Sequence, residues 1–354
     1  MILESDNPHG GDIYRNKVTY DFSANVSPLE TPKKIKEAIR NAAEGVRVYP
    51  DPYCSELRKA IATKENINIH NIICGNGASE LIFSYALAVK PKRALIVSPT
   101  FCEYENALRI CNCDIEYYDL KAANDFHLGE SLCEHIHNSI DVVFLCNPNN
   151  PTGKAYDHEV MKKIVSKCNE NEIKIFVDEC FNDMSNHPQQ YTLKEEMKKN
   201  RNIIILRAFT KSYGMAGIRL GYAMCSDSVV LNKMSQVTQT WNISNIAQAA
   251  GIAALECDSF VEDNRKIIHE ERRYLTKSLR KLGIKVFDSD VNFILFQVQE
   301  NSEQLYETLL KRGILIRKCD NFRGLENNFY RCAVKIHDEN KVLIEALEAH
   351  LSQT

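Results

Sequence analysis

No run of about 18 apolar residues occurs in the 354-residue chain, which excludes a membrane-spanning helix. The opening residues, "MILESDNPHGGDIYRN", lack the basic segment followed by an apolar one that marks a secretory leader, so a cytoplasmic location is expected. Long basic runs are missing too: the net charge of -3 comes from interspersed acids and bases, which gives nucleic acid no electrostatic purchase. The 13 cysteines contain no CxxC pair, and the closest spacing, Cys111 and Cys113 in "ICNC", is too tight for ordinary zinc ligation. Their odd number in a large chain argues against a disulfide framework. They read as reduced, mostly buried thiols behaving as small hydrophobes, and no metal site is expected. The absence of internal repeats removes solenoid folds.

What is present is an ordinary globular composition, 44% hydrophobic and 26% charged, with enough length for two domains. Strand-sized apolar runs recur: "NIIC" at 71–74, "RALIVSP" at 93–99, "CDIEYYDL" at 113–120, "DVVFLCNP" at 141–148, "IKIFVDE" at 173–179, "NIIILR" at 202–207 and "LGYAMC" at 220–225. Helical patterns such as 79–89, 101–110 and 158–171 lie between them, which predicts an α/β domain with a mainly parallel sheet covered on both faces. From about residue 246 long helices give way to "NFILFQV", "GILIRKC" and "FYRCAVKI", predicting a smaller α+β domain. The expected division is an N-terminal arm and helix (1–45) packing with the small domain, a large domain (46–250) and the small domain (251–354).

In an open parallel sheet, ligands gather beyond the carboxyl ends of the strands. The first such end offers "CGNGASE", where glycines permit close backbone approach and Ala78 and Ser79 open a helix whose free N–H groups favour an anion. A turn capped by Ser79 is the plain alternative. The next is "CNPNNPTG", a stiff loop presenting Asn147, Asn149 and Asn150, or simply a polar turn. Asp178 then ends an apolar strand, where a carboxylate needs a cation or a cap as partner. Finally "RAFTKSYGMAGIRLGY", residues 207–222, sets Lys211 and Arg219 in otherwise apolar surroundings. Lys211 is either a surface lysine or an amine held for covalent chemistry with a carbonyl.

This ordered set resembles the aminotransferase class I/II family of pyridoxal-phosphate enzymes, fold type I, over nearly the whole chain. The resemblance implies that Lys211 bonds the cofactor aldehyde, Asp178 pairs with the protonated pyridine nitrogen, Asn150 reaches the ring O3′ and Phe101 stacks on the ring. It further implies that Arg219, the N–H groups around Ala78 and Ser79, and the Thr210 hydroxyl hold the phosphate, and that Tyr49 reaches the cofactor of a neighbouring subunit in a homodimer. The chemistry agrees, since an electron sink needs a buried carboxylate, a phosphate needs a cation and N–H donors, and the bonded lysine must be able to lose its proton. Two departures stand out. Ala208 replaces the family's Ser or Thr phosphate donor, and Phe181 replaces a tyrosine whose phenol reaches O3′.

Within the family, "HGG" at 9–11, "DFSANVSPL" at 21–29, "DECF" and residues 314–335 resemble the threonine-phosphate decarboxylases, near relatives of the histidinol-phosphate aminotransferases. By that resemblance Arg331 takes the substrate carboxylate in a bidentate pair and Arg317 meets a substrate phosphate, while His9 and Asn25 close over the substrate. The expected reaction is decarboxylation of O-phospho-threonine or O-phospho-serine. An aminotransferase acting on a phosphorylated or phosphonylated amino compound is the alternative, and a non-catalytic pyridoxal-phosphate-binding protein a further one.

Overall fold

The computed structural model describes residues 9–299 and 302–352. Its main sheet has seven strands in the order Ile72–Gly75, Gly221–Cys225, Ile203–Ala208, Lys174–Asp178, Val142–Cys146, Arg93–Ser98 and Asp114–Asp119. Only Gly221–Cys225 runs against its neighbours; the other adjacent pairs are parallel. The chain therefore has the α/β architecture with a mainly parallel sheet that its strand pattern predicted.

Alternation along each strand explains why the sheet is covered twice. Side chains of successive residues point to opposite faces. Val143, Leu145, Ile175, Val177, Ile203 and Ile205 enter one apolar core, and their neighbours Phe144, Phe176, Ile204 and Leu206 enter a second. The helix His158–Glu170 covers the first core through Met161, Ile164 and Cys168. The helix Ala78–Val89 covers the second through Leu81, Ile82 and Tyr85.

A four-stranded antiparallel sheet follows, in the order Arg317–Lys318, Phe329–Ala333, Phe293–Gln297 and Lys285–Val286. It shares a third core with the helices Asp258–Lys281 and His337–Leu351. The N-terminal arm joins that core: Tyr20–Asp21 pairs in parallel with Ile314–Leu315, and Phe22 is fully buried there. The next helix, Lys33–Ala43, lies on the helix Asn245–Leu255, the first of the long helices from about residue 246, and places Ile35 in the first core of the large sheet. Its apolar face told that it must be buried, not against what.

Candidate active site

The first strand ends in a tight turn. Gly77 has φ +82, a conformation that favours glycine, and stands just before the helix Ala78–Val89. The Arg219 guanidinium presses against this turn so closely that a Cβ on Gly77 would fall 2.6 Å from its Nη2. Arg219 is itself left-handed at φ 59, and its Nη1 donates to the Ala216 carbonyl at 3.2 Å. Helix N–H groups and a guanidinium thus share one small concavity, the donor set an anion requires.

Lys211 stands in the short helix Phe209–Ser212 that follows the strand Ile203–Ala208, with buried Thr210 beside it. Its amine opens onto the cavity, 5.8 Å from the centre of the Phe181 ring. Burial first, and then the Arg331 charge, push its pKa down to about 8. An amine so placed sheds its proton near neutrality.

Asp178 is buried at the end of its strand, where one carboxylate oxygen accepts the Cys180 N–H at 2.9 Å and the other the Tyr104 hydroxyl at 2.6 Å. Tyr104 was not anticipated from the sequence. Its only signal was a large aromatic three residues after Phe101, one helical turn on, at the start of the helix Glu103–Ile110. Phe101 meets the Tyr104 ring edge-on at 5.8 Å.

Arg331 is buried above Phe293, 5.3 Å from its ring centre. It donates to the Asn150 side-chain oxygen and, at 3.0 Å, to the Ser23 carbonyl. With the Asn25 amide oxygen turned toward it, that oxygen also accepts at 3.3 Å. Arg317 sits directly opposite Arg331 in the antiparallel pairing, donating to the Lys318 carbonyl and to Asn321. Burial, aided by the facing Arg317, lowers the Arg331 pKa to about 10.

One cavity of about 280 Å³ collects His9, Asn25, Ser79, Phe101, Asn150, Lys211, Arg219, Arg317 and Arg331. Ala78, Asp178 and Thr210 do not line it. Tyr49 stands apart, 75% exposed and stacked on Trp241 at 4.6 Å. Of the two departures, Phe181 forms part of the cavity wall, whereas Ala208 is a strand residue paired with Gly221. An adjoining cavity of about 660 Å³ shares His9, Gly10, Ser23 and Arg317 with the first.

The family model for aminotransferase class I and II matches residues 17–347. The chain belongs to that family. It is accordingly a pyridoxal-phosphate-dependent enzyme, a decarboxylase or an aminotransferase. Among curated members, the threonine-phosphate decarboxylase of Salmonella typhimurium is 32% identical, covering 96% of this chain and 95% of its own. The histidinol-phosphate aminotransferase of Methanococcus aeolicus is 30% identical over 92% of this chain and 88% of its own. Among solved structures, the histidinol-phosphate aminotransferase of Clostridium acetobutylicum superposes with a TM-score of 0.89 at 29% identity, over 95% of this chain and 100% of its own. Among the described residues, no helix of this family member is long and apolar enough to cross a membrane.

Proposed function

We propose that this enzyme decarboxylates a small phosphorylated amino acid, O-phospho-threonine or O-phospho-serine, to the amino-alcohol phosphate. The opposed pair Arg317 and Arg331 carries the reading. Like charges directly opposite on adjacent strands repel, and burial sharpens that cost. A substrate with anionic groups at two ends relieves it, its carboxylate meeting Arg331 and its phosphate Arg317.

The residues also fit pyridoxal phosphate. The Gly77 cradle, which a Cβ would fill, with Arg219 and the N–H groups at Ala78 and Ser79, suits its phosphate. In this reading Thr210 adds a hydroxyl, Phe101 stacks on the ring, Asn150 meets its O3′ and Asp178 its pyridine nitrogen. Lys211 supplies the amine for its aldehyde. When bound, the cofactor supplies an electron-accepting ring that lets a bond to the substrate α-carbon break.

The chain's own part is orientation and proton movement. Arg331 and Arg317 hold the two anionic ends and so select which α-carbon bond stands perpendicular to the ring. The carboxylate leaves as carbon dioxide, and the electron pair left at the α-carbon takes a proton from Lys211 Nζ. His9 and Asn25 close the substrate side. Tyr49, exposed with Val46, Val48 and Tyr53, suits contact with a second copy, in a cytoplasmic homodimer whose sites lie at the interface.

Purified protein with cofactor is expected to release carbon dioxide from O-phospho-threonine or O-phospho-serine without an acceptor. The adjoining 660 Å³ cavity favours a second reading, in which a longer phosphorylated or phosphonylated amine is transaminated. Conversion of the cofactor to its amine form by histidinol phosphate or aminoethylphosphonate, with no carbon dioxide from the phospho-amino acids, would select that reading.

A further inference from the structure

The lip of the cavity carries a cluster of which the proposed reaction uses only His9. The His9 imidazole, the Cys102 thiol and the Glu103 carboxylate lie with their ligand atoms all within 4.8 Å of one another. His9 Nε2 is 2.9 Å from Glu103 Oε1, and Cys102 Sγ is 3.9 Å from the same oxygen. We propose that these three side chains form a zinc site whose occupation closes the cavity to substrate.

The donor types argue for zinc. Imidazole, thiolate and carboxylate together suit a borderline-soft ion, whereas magnesium or calcium would avoid the sulfur. Thiolate and carboxylate also balance the double positive charge. Around a tetrahedral zinc the donors would stand about 3.4 Å apart, so small side-chain rotations bring the three into place.

Both halves of the cluster are held before any ion arrives. Cys102 and Glu103 open the helix Glu103–Ile110, which Tyr104 anchors in the second core and to Asp178. His9 comes from the N-terminal arm, where the Gly11 N–H donates to Ser23 Oγ at 2.7 Å. A Cβ on Gly10 would lie 2.2 Å from the Ser23 carbonyl oxygen, so only glycine seats the arm this tightly. The site was not legible in the chain, because His9 lies more than ninety residues before the adjacent Cys102 and Glu103, a spacing no ordinary zinc motif has.

All three ligands border the cavity, beside Phe101 and Arg317. Binding zinc would release the Cys102 thiol proton to solvent and replace the His9–Glu103 contact with two bonds to metal. Three protein ligands leave a fourth position for water. An ion there stands in the substrate's path and removes His9 from its service, which predicts inhibition that substrate can overcome.

The metal-binding arm of the test is independent of the proposed reaction. Holoenzyme titrated with cobalt(II) as a zinc surrogate is expected to give the intense visible bands of a tetrahedral thiolate-bound ion, one per chain, and to lose them on adding zinc. Cys102→Ser and His9→Gln should each weaken binding by on the order of 100-fold, at least the cost of losing a mere supporting contact to a ligand. Cys111→Ser, on the far end of the same helix, should not. Absence of the bands, or their persistence in both variants, overturns the site. His9→Gln alters only the arm, so it decides the matter even if Cys102→Ser misfolds. With O-phospho-threonine, or with histidinol phosphate if that is the substrate turned over, zinc should raise KM without lowering kcat. Zinc bound at the site with KM unchanged would overturn the closure.

Discussion

Arg317 and Arg331 face each other across adjacent antiparallel strands, both buried and both bordering the cavity that Lys211 enters. Truncating either exposes what the substrate contributes to holding the pair together. Arg331→Met is expected to reduce kcat/KM by about 2–5 kcal/mol, the cost of leaving a buried anion unpaired. Arg317→Lys keeps the charge but loses the planar fork, and should raise KM more than it lowers kcat. Steady-state kinetics on the phosphorylated substrate distinguish the two. Equal and negligible effects would remove both arginines from substrate recognition.

Lys211 gives a pH signature. Only the neutral amine attacks an aldehyde, so the rate at which added pyridoxal phosphate bonds the apoprotein should rise through a midpoint of about pH 8. Arg331→Met should move that midpoint upward, since Arg331 is the leading charge that lowers it after burial. The same displacement makes the apoprotein gain stability as pH rises from about 8 toward 10.5, because over that window the unfolded chain holds a proton the folded one has lost. Lys211→Ala should abolish borohydride-trapped cofactor. Stopped-flow absorbance and denaturant titration measure the two effects.

Gly77→Ala tests the anion cradle. The new methyl group would meet the Arg219 guanidinium and also force alanine into an extended, positive-φ conformation that is essentially glycine's alone, at roughly 1–3 kcal/mol for the backbone. Cofactor affinity should fall by on the order of tenfold or more for each 1.4 kcal/mol lost. Equilibrium dialysis reads it directly, and unchanged affinity would place the phosphate elsewhere.

A separate buried network should govern stability. Arg207 donates to Glu179 at 2.7 Å and to Asp183 at 2.9 Å, and the Glu179 side chain is wholly covered. Arg207→Met strands that carboxylate and is expected to cost about 3–5 kcal/mol in urea unfolding. Burial already raises the Glu179 pKa, and Arg207 opposes that rise. The folded variant therefore holds the Glu179 proton more firmly than the unfolded chain does, and its deficit should shrink in acid. Adding Glu179→Gln should recover part of the loss.

The strands and the residues at their ends could be read from the chain because period-2 burial and strand-end chemistry are local properties. His9, Asn25, Arg317 and Arg331 came to the same cavity as Lys211 only through resemblance to a family, since nothing in spacing joins residue 25 to residue 331. Tyr104 escaped notice for the opposite reason: its bond to Asp178 crosses 74 positions, and a tyrosine at a helix start looks like any other core aromatic. The specific partner of the helix Lys33–Ala43, the helix Asn245–Leu255, was not legible, because amphipathicity fixes a face and leaves the partner open.

Between residues 23 and 31 the chain has no slack. The Ser23 carbonyl accepts from Arg331, the Ser27 N–H donates to the Lys211 carbonyl at 3.0 Å, and the Thr31 hydroxyl donates to the Gly214 carbonyl at 2.6 Å. One added or deleted residue there would shift Arg331 relative to Lys211. Any change of length in this segment has to break at least one of those three ties.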